Sequence, residues 1–315
     1  MKTLYFRNGD TMPAIGLGTW KSAPGEVAYA VKTAIKEGYR HIDCAAIYGN
    51  EKEVGTAIQE VIAEGMVTRD ELWITSKLWN DSHKPEDVIP ALEKTLSDLQ
   101  LEYLDLYLIH WPIALKKGTP PNDATNYIPL TEMPIIKTWE MMETAVAEGL
   151  TKHIGVSNFS KEKLADLLYR AERVKPELNQ VELHPLLQQP QLMVYAAEND
   201  VLITGYSPLG SGDRSSSMKK EDEPNLLKNA VINKIATKHG VTAAQILIAW
   251  QVARGNAVIP KSTNAQRIKE NLHAAKVTLD ENDMDNIRSL DKHYRYLDAA
   301  GFMLPGNSYT NVFDE

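Results

Sequence analysis

Cysteine is almost missing from this chain: Cys44 is the single one in 315 residues. One thiol excludes an internal disulfide framework and any metal site built from several cysteines. Long apolar runs are missing too. The opening MKTLYFRNGD holds an apolar stretch of only three residues, Leu4 to Phe6, too short for a signal h-region. No run approaches the roughly 18 apolar residues of a membrane span. A cytoplasmic protein with no membrane partner is the expectation. Basic charge is in deficit, with 34 Lys and Arg against 42 Asp and Glu, a net charge of −8. No global field for nucleic acid exists, so any anionic ligand must be held by local groups. Neither G-x-G-x-x-G nor G-x-x-x-x-G-K-[ST] occurs, which removes the two commonest phosphate-cradling fingerprints. His-x-His is absent as well. A metal-dependent barrel hydrolase would have to rely on Glu182 and His184, ligands only in isolation.

What is present is a regular alternation. Eight short apolar, β-branched runs read as strands: 14–19, 40–45, 72–77, 104–110, 153–158, 178–183, 201–207 and 257–262. Segments of helical period fall between them at 25–38, 51–65, 85–100, 135–149, 161–172 and 189–199. Repeated βα units predict a parallel sheet, and eight of them over 315 residues predict a single α/β domain, a (β/α)8 TIM barrel spanning 1–315. An open doubly wound sheet is the alternative. Asn8-Gly9 between two short apolar stretches predicts an N-terminal β-hairpin that plugs the bottom of the barrel. Three segments exceed ordinary connections: a Pro-rich loop at 113–134, a polar loop at 211–225 and a tail at 292–315.

The predicted strands all turn polar at the same end: Asp43, Lys77, His110, Ser157-Asn158, Gln180 to His184, Tyr206-Ser207 and Lys261-Ser262. Each alone has an ordinary explanation: a core histidine, a structural ion pair, a helix cap. In a barrel they converge on one mouth, where active sites sit. Lys77 and Asp43 would pair across adjacent strands, and Tyr48 follows closely enough to reach the lysine. A cation beside a phenol lowers its pKa, which would tune Tyr48 to exchange a proton near neutrality. His110 would donate a hydrogen bond to a carbonyl oxygen. Such a set suits protonation of a developing alkoxide, and the accompanying hydride requires a cofactor. In I-P-K-S-T-N-A-Q-R-I-K-E-N (259–271), Lys261, Ser262, Thr263 and Arg267 surround a helix N-terminus, a fit for phosphate. A plain cap with solvated charges is the other reading.

Ordered motifs run along the whole chain. They are G-L-G-T-W (16–20), H-I-D-C-A-A-I-Y-G-N-E (41–51), S-K-L-W (76–79), L-I-H-W-P (108–112), G-V-S-N-F (155–159), N-Q-V-E-L-H-P (179–185) and G-Y-S-P-L-G-S (205–211), followed by I-P-K-S…R-I…E-N (259–271). Through them the chain resembles the aldo-keto reductase family from end to end. The resemblance implies Asp43, Tyr48, Lys77 and His110 as catalytic residues with Tyr48 the proton donor. It favours NADPH/NADP+ over NADH as cofactor, because NAD offers no 2′-phosphate for Lys261, Ser262, Thr263 and Arg267. Further cofactor contacts implied are Thr19, Trp20 and Asp43, then Ser157, Asn158 and Gln180 on the carboxamide and Tyr206 stacked on the nicotinamide. Ser207, Leu209 and Ser211 would line the pyrophosphate, with Glu270 and Asn271 near the adenine.

The 211–225 segment resembles a cofactor-closing belt, with Lys21 and Asp213 pairing across the pyrophosphate. Its Ser-Gly-Asp-Arg-Ser-Ser-Ser run, lacking proline, predicts a flexible one. Trp20, Trp79 and Trp111, with Tyr48 and His110, are the substrate-pocket candidates, and Phe302 and Leu304 join them from the tail. The expected protein is an aldehyde-reductase-type enzyme, a monomer whose partner is a small-molecule carbonyl substrate. The alternative is an NADPH-binding regulatory module on the same fold with little turnover.

Overall fold

The computed structural model describes residues 2–315. Its central strands are β1 (Leu17–Gly18), β2 (His41–Asp43), β3 (Trp73–Leu78), β4 (Leu104–Ile109), β5 (Thr151–Ser157), β6 (Leu178–Glu182), β7 (Leu202–Tyr206) and β8 (Ala257–Val258). Each hydrogen-bonds to its neighbours in sequence, all in parallel. The sheet also closes: Ile15 bridges Val258 and Gly18 bridges Lys261. Gly16 N donates to Val258 O at 2.9 Å and Val258 N to Ala14 O at 2.8 Å. Closure is tight enough to demand glycine, since a Cβ on Gly18 would lie 2.8 Å from Ile259 O. The expected (β/α)8 barrel is the observed architecture, and the open-sheet alternative falls.

The expected helices appear within two residues of their limits as α1 (Glu26–Glu37), α2 (Glu51–Ala63), α3 (Pro85–Leu99), α4 (Ile135–Ala147), α5 (Lys161–Arg170) and α6 (Pro190–Glu198). Their ends follow the usual chemistry. Pro85 opens α3 at its first turn, and Ser160 Oγ caps α5 by accepting from Lys163 N. Between β7 and β8 lie α7 (Ala230–His239) and α8 (Ala243–Ala253); α9 (Ala265–His273) and α10 (Glu281–Arg288) follow β8. None of the described helices is long and apolar enough to cross a membrane.

The N-terminal hairpin pairs Thr3–Tyr5 with Thr11–Pro13. It sits under the barrel, with the Phe6 ring 5.0 Å from Trp73 at the start of β3 and 4.1 Å from His153 near the start of β5. His153 is 1% exposed and lies between two carboxylates, Nε2 3.0 Å from Asp10 and Nδ1 3.0 Å from Glu177. Burial pulls the imidazole pKa down, but Glu177 and Asp10 outweigh it and hold it above 6.5. A raised folded-state value stabilises most when the unfolded group is also protonated. The contribution is therefore complete below about pH 6.5 and fades as pH climbs through the raised value. In urea titrations, His153→Gln should lose most stability relative to the parent at mildly acidic pH, and less in alkali. A gap that does not vary with pH would mean the ring is neutral.

The 113–134 segment, expected as a loop, contains a small antiparallel pair, Ala114–Leu115 with Tyr127–Ile128. The tail holds it in place. Tyr309 Oη accepts from Ala114 N at 2.9 Å and donates to Ile128 O at 2.7 Å.

Candidate active site

Parallel strands aim all their C-terminal ends one way, and at that end lies a cavity of about 1030 Å³. Asp43, His110, Ser157, Gln180 and Tyr206 enter its wall from the ends of β2, β4, β5, β6 and β7. Lys77 does not reach the wall. It is 1% exposed behind Asp43, its Nζ donating to Asp43 Oδ2 at 2.7 Å and Cys44 O at 2.8 Å. The other carboxylate oxygen accepts from Gln180 Nε2 at 2.7 Å. The Lys77 ammonium is 5.2 Å from the centre of the Tyr48 ring.

Tyr48 ends a single 3₁₀ turn, Ala46–Tyr48, stopped by Gly49 at φ 69°. Two following residues nail this turn down. Asn50 Nδ2 donates to Thr19 O at 2.9 Å. The Glu51 carboxylate accepts from Ser76 Oγ at 2.5 Å and Thr95 Oγ1 at 3.1 Å. Burial pushes the Glu51 carboxyl up to about 7. Asn50 and Glu51 stand in the H-I-D-C-A-A-I-Y-G-N-E run, but sequence reasoning assigned them nothing. A carboxylate three residues beyond Tyr48, at the start of a helical run, was the available signal.

One expectation is corrected. Lys77 was to lower the Tyr48 pKa, yet the phenol lies well above 10, pushed up by burial and then by the Asp43 charge. Lys77 donates to Asp43 and Cys44 O rather than to the phenol, and burial with the Asp43 charge sets the direction at Tyr48. The hydroxyl is thus kept protonated.

His110 is buried and its imidazole pKa is driven well below 6.5, first by burial and then by the Lys77 charge. The ring is neutral and carries one N–H. Its Nδ1 has no protein partner. Its backbone oxygen accepts from Asn158 Nδ2 at 2.9 Å, while Asn158 Oδ1 accepts from Tyr206 Oη at 2.6 Å. Ser157 Oγ donates to Gln180 O at 2.8 Å, and Thr19 Oγ1 to Asp43 O at 2.8 Å. Aromatic rings close this end. Trp20 lies 6.3 Å from Tyr48, Trp79 meets His110 edge-on at 5.3 Å, and Phe302 meets Trp111 at 5.1 Å. Leu304 does not line the cavity; it packs in the Trp111–Tyr309 cluster instead. Leu297 and Ala299, not singled out from sequence, do line it.

The far end of the same cavity is formed by Lys261, Ser262, Thr263, Arg267, Glu270 and Asn271. The α9 cap is Asn264, whose Oδ1 accepts from Arg267 N at 3.0 Å. Ser262 and Thr263 are therefore not the capping residues, and Arg267 has no ion-pair partner among the described residues. Between the two ends run Ser207, Leu209 and Ser211. Asn158 (φ 63°), Ser207 (φ 51°) and Ser211 (φ 48°) all hold left-handed backbone, a strain that side-chain-bearing residues tolerate chiefly at functional sites.

The 211–225 segment crosses the cavity. Asp213 pairs with Lys21 at 2.7 Å and Lys261 at 3.5 Å. The expected Lys21–Asp213 pair is therefore formed. Within this segment the buried Arg214 guanidinium donates to Ser211 O, Met218 O and Tyr296 O and pairs with Glu223.

The sequence profile of the Aldo/keto reductase family matches residues 14–292. An aldo/keto reductase of Synechocystis sp. is 50% identical, the match covering 100% of this chain and 97% of that protein. Human aldo-keto reductase family 1 member A1 is 48% identical over 93% of this chain and 90% of its own. The structure of the aldose reductase of Schistosoma japonicum superposes with a TM-score of 0.87 at 38% identity, covering 96% of both chains. With a closed (β/α)8 barrel, a strand-end site and matches of this extent, the chain belongs to the aldo/keto reductase family of carbonyl-reducing oxidoreductases.

Proposed function

We propose that this protein reduces aldehydes and ketones, aldoses among them, to alcohols with NADPH, and that Tyr48 gives the proton. One observation carries the reading. A single cavity joins a phenol backed by a buried ion pair to a cationic end bearing Lys261 and an unpaired Arg267. The donor set fits the cofactor. Lys261, Thr263 and Arg267 would hold the 2′-phosphate and Glu270 and Asn271 the adenine. Ser207 and Ser211 would flank the pyrophosphate, and Ser157, Asn158 and Gln180 the carboxamide beside Tyr206. Bound NADPH supplies the hydride for the carbonyl carbon.

The protein's own groups do the rest. The neutral His110 ring presents its one N–H to the carbonyl oxygen and orients it. Tyr48 transfers its proton to that oxygen as negative charge develops there. Asp43 and Lys77 stand behind the phenol, with Gln180 holding the carboxylate in place. Trp20, Trp79, Trp111 and Phe302 exclude water and fit an apolar substituent.

The first test is NADPH oxidation with an aromatic aldehyde. NADPH binding without turnover would favour a binding module instead. The cofactor assignment has its own test in Lys261→Ala and Arg267→Ala. A charge-assisted hydrogen bond lost at each is worth about 1.5–3 kcal/mol, roughly a 10- to 150-fold fall in kcat/KM for NADPH. NADH turnover should hold steady, so the preference ratio collapses. Equal losses with both cofactors would refute a 2′-phosphate role.

A further inference from the structure

Glu182 ends β6 two residues after Gln180, and it is 0% exposed. A carboxylate so buried needs donors. It has three: Tyr296 N at 2.6 Å, Leu297 N at 2.8 Å and His184 Nε2 at 2.8 Å. Burial pushes this carboxyl up, but the His184 and Tyr296 donors hold it below the usual value, so it stays charged. Two of those donors are backbone amides of the tail, 114 and 115 residues on. The tail stretch they fix is the cavity wall beyond the catalytic end, running through Leu297 and Ala299 to Phe302.

Tyr296 also reaches the other way. Its hydroxyl donates to Pro224 O at 2.7 Å, and its carbonyl accepts from Arg214 Nη1 at 2.6 Å. Both partners belong to the segment that carries Asp213 across the cavity. The ring packs 4.9 Å from His184 and 5.2 Å from the Arg214 guanidinium. The substrate-side wall and the cofactor-side belt therefore share one anchor on the sheet.

We propose that Glu182, acting through Tyr296, is a positioning residue that holds the substrate-pocket wall and the cofactor belt as one unit. It touches neither ligand. The inference rests on the functional reading above for what the two parts cover, but not for their linkage. Glu182→Gln keeps the shape and removes the charge. In hydrogen exchange on the protein alone, peptides covering 211–225 and 296–302 should lose protection together.

With ligands present, NADPH release and KM for a bulky aromatic aldehyde should both rise by about 5-fold or more, the range of ordinary intersite coupling. The single-turnover hydride step should stay within about threefold, because no reacting group is altered. Tyr296→Phe deletes one of the two belt ties, the hydroxyl bond to Pro224 O, and keeps the carbonyl bond from Arg214, so it should speed NADPH release less than Glu182→Gln does and leave the aldehyde KM unchanged. A Glu182→Gln protein in which only one segment loosens, or neither does, overturns the proposal. Should that variant fail to fold, unchanged NADPH release in Tyr296→Phe overturns it alone. The exchange measurement needs no NADPH, so the linkage and the functional reading fail separately.

Discussion

Tyr48→Phe should abolish carbonyl reduction while NADPH binding, followed by quenching of tryptophan fluorescence, stays intact. The substitution removes one oxygen and leaves the ring between Trp20 and His110, where the centroids lie 6.3 and 5.9 Å away. A positioned general acid contributes about 10²–10⁴-fold, or roughly 2.7–5.4 kcal/mol of barrel-site catalysis. No neighbour replaces it. His110 is held neutral far below its usual range, and Lys77 is buried behind Asp43 with both its contacts satisfied. Substantial residual turnover would remove Tyr48 from the donor role.

The pH behaviour follows from the same hydroxyl. A donor must be protonated, and the phenol value is raised well above 10. Reduction in the parent protein should therefore run level through neutral pH and fall only in strong alkali. Alcohol oxidation needs the phenolate and should rise over that range. A reduction rate already falling near neutrality would contradict the raised value.

Much of this site was legible in the residues because parallel topology does the gathering. Once eight apolar runs read as parallel strands, the polar residues at their ends had to share a mouth, and Asp43, His110, Ser157, Gln180 and Tyr206 do. What was hidden depends on depth and on distant backbone. Spacing placed Lys77 near Tyr48 correctly but could not reveal that burial would dominate at the phenol. The contacts of the 211–225 belt were hidden, since a carbonyl that receives Arg214 belongs to Tyr296, 82 residues away. Helix α8 gave no amphipathic signal because Gln245–Val252 is buried on every face, leaving no polar stripe to set a 3.6-residue period. The pair at 114–128 is too short to show alternation and depends on Tyr309 from the tail.

Lys77→Met should be the most damaging single change to stability at the site. It deletes the Asp43 partner at 2.7 Å in a place where both side chains are 1–2% exposed. A buried charge left unpaired costs about 3–5 kcal/mol. Gln180 Nε2 remains on Oδ1, but Oδ2 and the Cys44 carbonyl lose their donor together. Denaturant unfolding should show that loss, and NADPH-dependent reduction should fall as Tyr48 loses its support. The double variant Asp43→Asn/Lys77→Met separates the two effects. With the charge gone, most of the stability should return, because replacing both members of a buried pair is often nearly neutral. Activity should not return if the pair orients Tyr48 for proton transfer. Full activity in the restored double variant would reduce Asp43 and Lys77 to a structural ion pair, the ordinary explanation each had when considered alone.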